Sequence, residues 1–298
     1  MKRPPVKTWS TPVTLSDSKP IPCALCGADT FKPRLFCEGF FYVRCRQCGL
    51  VQMNPQPPGA EVHIRYSESR NSGGHGDEYL SYELKNEEAF LRLQELALQD
   101  AGFEALEKEL LNKTADRPRI LDVGCATGAL LEKLRKKGWD TTGVEISPSA
   151  EYARSKKGLD VRSLPLEENH FPSESFDVVL ASHLIEHLND PGAFVRESHR
   201  ILKEGGSLFV TTPNIAGFQA KLFKGRWRSA IFDHLYLFSV KTLSALLTDC
   251  GFSIEKVATW GGLAAGIGPA PVKRLVDKAA KRFGSGDVMM IRGRKRER

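Results

Sequence analysis

Residues 119–145 read RILDVGCATGALLEKLRKKGWDTTGVE, and the fold is decided there. Ile120, Leu121 and Val123 give the short apolar run of a strand covered on both faces. Gly124-Cys125-Ala126-Thr127-Gly128 is a turn of small residues, which lets backbone approach a ligand without Cβ atoms in the way. Leu130, Leu131 and Leu134 then set a helical stripe that stops near Gly138. A second strand follows and ends on an acid, in Gly143-Val144-Glu145.

Spacing separates this stretch from a dinucleotide site. A pyrophosphate needs G-x-G-x-x-G, so that it can sit on the amides of a helix N-terminus. Here the turn is Gly124-x-Ala126-x-Gly128, and Asp122 stands two positions before its first glycine. The ligand implied has no phosphate and carries an amino group near that acid. Glu145 is placed to accept both hydroxyls of a ribose. The alternative is an ordinary strand–turn–helix with incidental glycines.

The combination resembles the class I S-adenosylmethionine-dependent methyltransferases, whose first motif runs D-x-G-x-G-x-G with an acid about twenty residues on. Ala126 departs from that pattern, standing where the family usually has glycine, and implies a slightly tighter cleft. The resemblance implies an α/β, Rossmann-like sheet with helices on both faces. S-adenosylmethionine would lie across the C-terminal ends of strands one, two and four. Asp122 and the turn of Gly124, Cys125, Ala126 and Gly128 would hold its methionine portion, and Glu145 its ribose. Ile146 and Leu164 would flank the adenine, and Ser182 completes the expected cofactor set.

The 298 residues, 41% of them apolar, suffice for one large domain or two unequal ones with a full core. No apolar run reaches the ~18–20 residues of a membrane span. The first ten residues, MKRPPVKTWS, lack the apolar h-region of a signal peptide, so a cytoplasmic protein is expected. The formal charge of +7 is concentrated at the ends, with +3 in residues 1–20 and +7 in residues 271–298, leaving −3 between. A nucleic-acid-binding domain more often carries such charge on a folded face. Here it lies largely in a C-terminal tail ending RGRKRER, expected to be solvated and disordered, with attraction to anionic surfaces as the alternative.

Residues 1–20 are expected to be an irregular arm. Cys23-x-x-Cys26-Gly and Cys45-x-x-Cys48-Gly then have tetrathiolate zinc spacing and predict a zinc ribbon over residues 21–53. Four thiolates leave the metal no open position, which makes the zinc structural. Residues 54–113 are read as a linker and N-terminal helical lid, with a mobile loop at 67–78, a helical region near 82–113 and Tyr66, Tyr79 and Tyr82 as lid candidates.

The remaining domain, 114–298, continues to alternate strands with helices, the mark of a parallel sheet. Residues 182–214, SHLIEHLNDPGAFVRESHRILKEGGSLFVTTPN, carry E-H-L-x-D-P, R-x-L-K-x-G-G and T-x-P-N. They resemble the segment after strand four in methyltransferases of the ubiquinone O-methyltransferase type. His183, Glu186 and His187 fall at the C-terminal edge of the sheet, where a base could take the proton of a hydroxyl acceptor. The alternative is that Glu186 and His187 only tie loops together. An insertion, 214–239, interleaves Lys221, Lys224, Arg226 and Arg228 with Phe218, Phe223, Trp227 and Phe232. It is expected to cover the acceptor, with Trp227, Asp233 and His234 as contacts and His234 a rival base. Docking on a membrane surface and plain packing are the alternatives.

Near the C-terminus, Ser253–Ala258 is expected to be the sixth strand, and residues 261–271 small and flexible. A helical apolar stripe of Val272, Leu275, Val276, Ala279, Ala280 and Phe283 should precede a closing strand, 287–292. The acceptor expected is a small molecule, a saccharide or a lipid or quinone type. Open alternatives are a zinc-ribbon methyltransferase of ribosomal or transfer RNA, a sugar C-methyltransferase and a noncatalytic scaffold.

Overall fold

The computed structural model describes residues 20–37, 39–56, 76–113, 116–262 and 270–297. The expectations for residues 1–19, for Tyr66, for the loop as far as residue 75 and for 263–269 lie outside that set. In chain order the elements begin with β1 (Phe31–Cys37), β2 (Phe40–Cys45) and β3 (Val51–Met53), then α1 (Gly76–Asp100) and α2 (Phe103–Lys113). Next come β4 (Arg119–Val123), α3 (Ala129–Lys136), β5 (Asp140–Val144), α4 (Ser149–Lys157), β6 (Asp160–Arg162), β7 (Phe176–Ser182) and α5 (Pro191–Ile201). The chain closes through β8 (Leu202–Pro213), α6 (Phe218–Phe223), β9 (Tyr236–Leu237), α7 (Val240–Asp249), β10 (Phe252–Trp260), α8 (Ala270–Arg282) and β11 (Val288–Lys295).

The main sheet has the order β10-β11-β8-β7-β4-β5-β6. β6, β5, β4, β7 and β8 run parallel, and β11 inserts antiparallel between β8 and β10. Ile120 and Leu121 on β4 are fully buried, as a central strand covered on both faces requires. α3 turns Leu130, Leu131 and Leu134 inward. At two glycines beside the crevice, a larger residue would have to displace packed side chains. A Cβ on Gly128 (φ +72°) would fall 2.4 Å from Leu159 Cδ1, and one on Gly143 would fall 2.6 Å from Cys125 Sγ. The strand order reverses beside β4, so its C-terminal end opens the crevice where ligands of such sheets bind.

The ribbon sheet has the order β1-β2-β3-β9, and its fourth strand comes from the 214–239 insertion. Val51 pairs with Leu237 and Gln52 with Tyr236. One apolar core runs from Cys23, Tyr42 and Met53 through Leu235, Tyr236 and Phe238 into β7 and β8.

Several expectations are corrected. The helical region near 82–113 is two helices, parted at Ala101-Gly102, where Gly102 takes φ +80°. The basic C-terminal tail is no solvated end: residues up to Lys295 belong to β11. Arg292 pairs with Glu255, and the buried Lys295 ammonium donates to the Leu202 carbonyl at 2.8 Å with Glu204 3.7 Å and Glu174 3.8 Å away, so these charges are compensated within the sheet. The sixth strand is longer than expected, Phe252–Trp260. Of the stripe side chains that are described, Ala280 is buried and Leu275 exposed on α8, and Phe283, just past the helix, is exposed as well. Among the described residues, no helix is long and apolar enough to cross a membrane.

Candidate functional site

At the C-terminal end of β4, Asp122 is fully enclosed, and its Oδ1 has no hydrogen-bond partner. Burial, with the charge of Glu145 beside it, pushes its carboxyl up to about 7. A buried acceptor without a donor is costly unless a ligand supplies one. Glu145 sits across the crevice after β5. Its Oε2 accepts from the Ala126 amide at 3.0 Å and its Oε1 from the Ser147 amide at 2.8 Å, so the second acid is tied directly to the glycine turn. Ala126 takes φ +50°, a left-handed conformation that explains why glycine is usual at this place. Cys125 is buried against Gly143. Ile146 and Ser182 are half-buried at the same edge, and Leu164, in the loop after β6, is half exposed.

Sequence reading missed Glu83. It lies on α1, is buried, and receives hydrogen bonds from the Ser149 hydroxyl and from Tyr79. Burial, then the nearby Glu145 charge, raises its carboxyl to about 7. The helical spacing of Tyr79 and Glu83 places both on one face of α1, and that pattern was the available signal. Tyr82, the other lid candidate described, packs on Phe90 within the same helix.

A second cluster follows β7. His183, at φ +54°, brings Nδ1 to 3.3 Å from Glu186 Oε1, while Glu186 Oε2 accepts from the Thr212 hydroxyl at 2.9 Å. Glu186 is fully buried. Burial alone would raise its carboxyl, but the His183 hydrogen bond and the surrounding imidazoles outweigh that and draw it down to about 2. His187 Nδ1 lies 2.9 Å from the Asp233 carbonyl, and His234 Nδ1 lies 2.8 Å from the Ser229 carbonyl. A carbonyl only accepts, so these partners assign the proton of each neutral ring to Nδ1 and present Nε2 as the acceptor. The two rings meet edge to face at 4.7 Å. Burial, then the His187 charge, lowers His234 to about 4.

The four residues expected from two distant segments are thus brought together. The insertion also behaves differently from its expected role in one respect. Trp227 and Phe232 are core residues, with the Trp227 indole N–H bonded to Asp287 at 2.5 Å.

Among the described residues, two groups could hold a metal. The sulfurs of Cys23, Cys26, Cys45 and Cys48 lie within 4.8 Å of one another, with Cys23–Cys48 at 3.4 Å and Cys26–Cys45 at 3.6 Å. Tetrahedral zinc with bonds of about 2.3 Å needs sulfurs roughly 3.8 Å apart, so the cage fits. Glu186, His187 and His234 also bring one donor atom each within 4.8 Å, a spacing open to a divalent ion.

A family model described as "Methyltransferase domain" matches residues 93–257. The ubiquinone biosynthesis O-methyltransferase of Caulobacter vibrioides is 34% identical over 139 residues, covering 42% of this chain and 50% of that protein. The mitochondrial enzyme of the same description from Rattus norvegicus is 37% identical over 106 residues, 32% of this chain and 31% of that protein. The chain therefore spans half or less of the length of these relatives. Among solved structures, an S-adenosylmethionine-dependent methyltransferase of Thermotoga maritima, described as a "possible histamine N-methyltransferase", superposes with a TM-score of 0.50 at 26% identity. That match covers 72% of this chain and 97% of the other.

Proposed function

The chain belongs to the methyltransferase-domain family matched over residues 93–257, and from that premise we propose that it moves a methyl group from S-adenosylmethionine to a hydroxyl oxygen of a small quinone-, lipid- or saccharide-type acceptor. The observation that carries the reading is Asp122, a buried carboxylate oxygen without a donor at the mouth of the glycine turn. A phosphate-free ligand with an amino group satisfies that oxygen, and the adjoining Glu145 offers its carboxylate to ribose hydroxyls. Bound there, S-adenosylmethionine supplies an electrophilic methyl group and leaves as the neutral thioether.

The chain's own work is alignment and one proton transfer. His187 Nε2 takes the proton of the acceptor hydroxyl as the oxygen forms its bond to carbon, and the Asp233 carbonyl holds the ring by its other nitrogen. His234 is a poor base, being lowered to about 4. Glu186, with both oxygens engaged by His183 and Thr212, orients the cluster without reaching the acceptor. Holding oxygen and methyl in line and excluding water can lower the barrier by several kcal/mol. The four cysteines are assigned to structural zinc, remote from the chemistry.

Calorimetry with S-adenosylhomocysteine tests the cofactor half. Asp122→Asn with Glu145→Gln should weaken binding by about a hundredfold, the loss of two hydrogen-bonded charges. Equal heats from parent and double variant would remove the reading. For the chemistry, turnover of a hydroxylated quinone-type acceptor should fall about 10²–10⁴-fold in His187→Gln with affinity for S-adenosylhomocysteine unchanged.

A further inference from the structure

Beyond the methyl-transfer site, we propose that the β1–β2 hairpin and the adjoining α6 segment form a docking surface for an anionic lipid bilayer. Phe36 and Phe41 stack on each other at 4.8 Å near the hairpin's end, yet are 55% and 58% exposed. The hairpin's edge abuts the turn after α6: a Cβ on Gly225 would fall 2.4 Å from the Phe36 carbonyl oxygen. On α6, Leu222 is 56% and Phe218 42% exposed. Four large apolar side chains on two touching segments exceed the single exposed hydrophobics normal for a surface.

Charge selects the partner. Lys32 and Arg34 on β1, and Lys221, Lys224 and Arg226 around α6, are exposed on the same two segments. The segments 31–37 and 218–228 contain no acid, and Glu38 is the one acid of the β1–β2 connection. Aromatic rings flanked by cations suit the headgroup boundary, where the rings enter the interface and the cations meet anionic phosphate. A purely electrostatic partner such as nucleic acid would not require the aliphatic Leu222. The surface is also rigidly joined to the site, since the ribbon shares its sheet with β9, two residues from His234.

Vesicle co-sedimentation of the full chain tests this without turnover and without knowing the acceptor. The parent should pellet with phosphatidylglycerol-containing vesicles and much less with phosphatidylcholine alone. Phe36→Ser with Phe41→Ser should lower partitioning by about tenfold at an unchanged thermal midpoint, because both side chains are exposed. Lys221→Glu with Lys224→Glu and Arg226→Glu should abolish the preference for anionic lipid. Leu275→Ser with Phe283→Ser, exposed on α8 and just past its end, should pellet like the parent. No pelleting of the parent, equal pelleting of the hairpin variant, or a loss confined to the α8 variant overturns the proposal. So does a parent that binds an RNA oligonucleotide through these residues and ignores vesicles.

Discussion

Single residues at the crevice carry charge that the apo protein holds at a cost. Glu83 has its folded carboxyl at about 7 against an ordinary 4.5. A raised carboxyl favours the folded state only while protonated. Its contribution is complete below about pH 4.5 and is lost as the pH rises through 7. Between pH 5.5 and 8 the parent should lose about 2 kcal/mol relative to Glu83→Gln, whose side chain does not titrate. Urea midpoints of the two proteins at both pH values check this, and parallel behaviour would dismiss the assignment. The sequence announced Asp122 and Glu145 because their spacing to the glycine turn is local. It hid Glu83, whose neighbours Ser149 and Glu145 lie more than sixty residues away and meet it only when α1 crosses the sheet edge.

At the level of elements, the insertion is held by the ribbon rather than by itself. The buried Tyr42 hydroxyl lies 2.6 Å from the Ile231 carbonyl and 2.8 Å from that of His234, while Cys37 Sγ donates to Ala230 at 2.8 Å. Removing the hydroxyl in Tyr42→Phe takes a donor from the buried His234 carbonyl, while the Ile231 carbonyl keeps the His234 amide at 3.1 Å, and should cost about 1–3 kcal/mol. Amide exchange over 229–237 should speed up accordingly while the α3 region keeps the parent's protection; unchanged exchange in 229–237 would show that β9 needs no such anchor. Elements with a strong period, β4, α3 and β7, were legible because burial on both faces or on one stripe dictates their residues. β9 was not, since two residues carry no periodicity, and its partner strand is remote in sequence. The basic end misled for a related reason: Arg292, Arg294 and Lys295 look solvated in sequence, yet Glu255 and the Leu202 carbonyl receive them across the sheet.

For the whole molecule, these contacts mean that the thiolate cage and the proposed base share one mechanical unit. Cys23, Cys45 and Met53 belong to the same core as Leu235 and Phe238, and the Met53 amide donates to the Leu235 carbonyl at 2.8 Å. Asp122 and Glu145 lie on the far side of β7, with α3 and α4 packed beside them, although their neighbours Leu121, Val123 and Val144 share the ribbon's core. A structural zinc contributes on the order of 10 kcal/mol to a small module, so stripping it should unfold residues 21–53. Loss of β3 then unpairs β9 and frees the turn that carries His234. Chelation should release one zinc per chain and raise exchange in 229–237 by about tenfold or more. Affinity for S-adenosylhomocysteine should meanwhile stay within about threefold, because the Glu145 carboxylate is held by the Ala126 and Ser147 amides and not by ribbon residues. A stripped protein that protects 229–237 as well as the parent does would show the ribbon to be an appendage, and one that loses the cofactor first would place the coupling on the wrong half of the sheet.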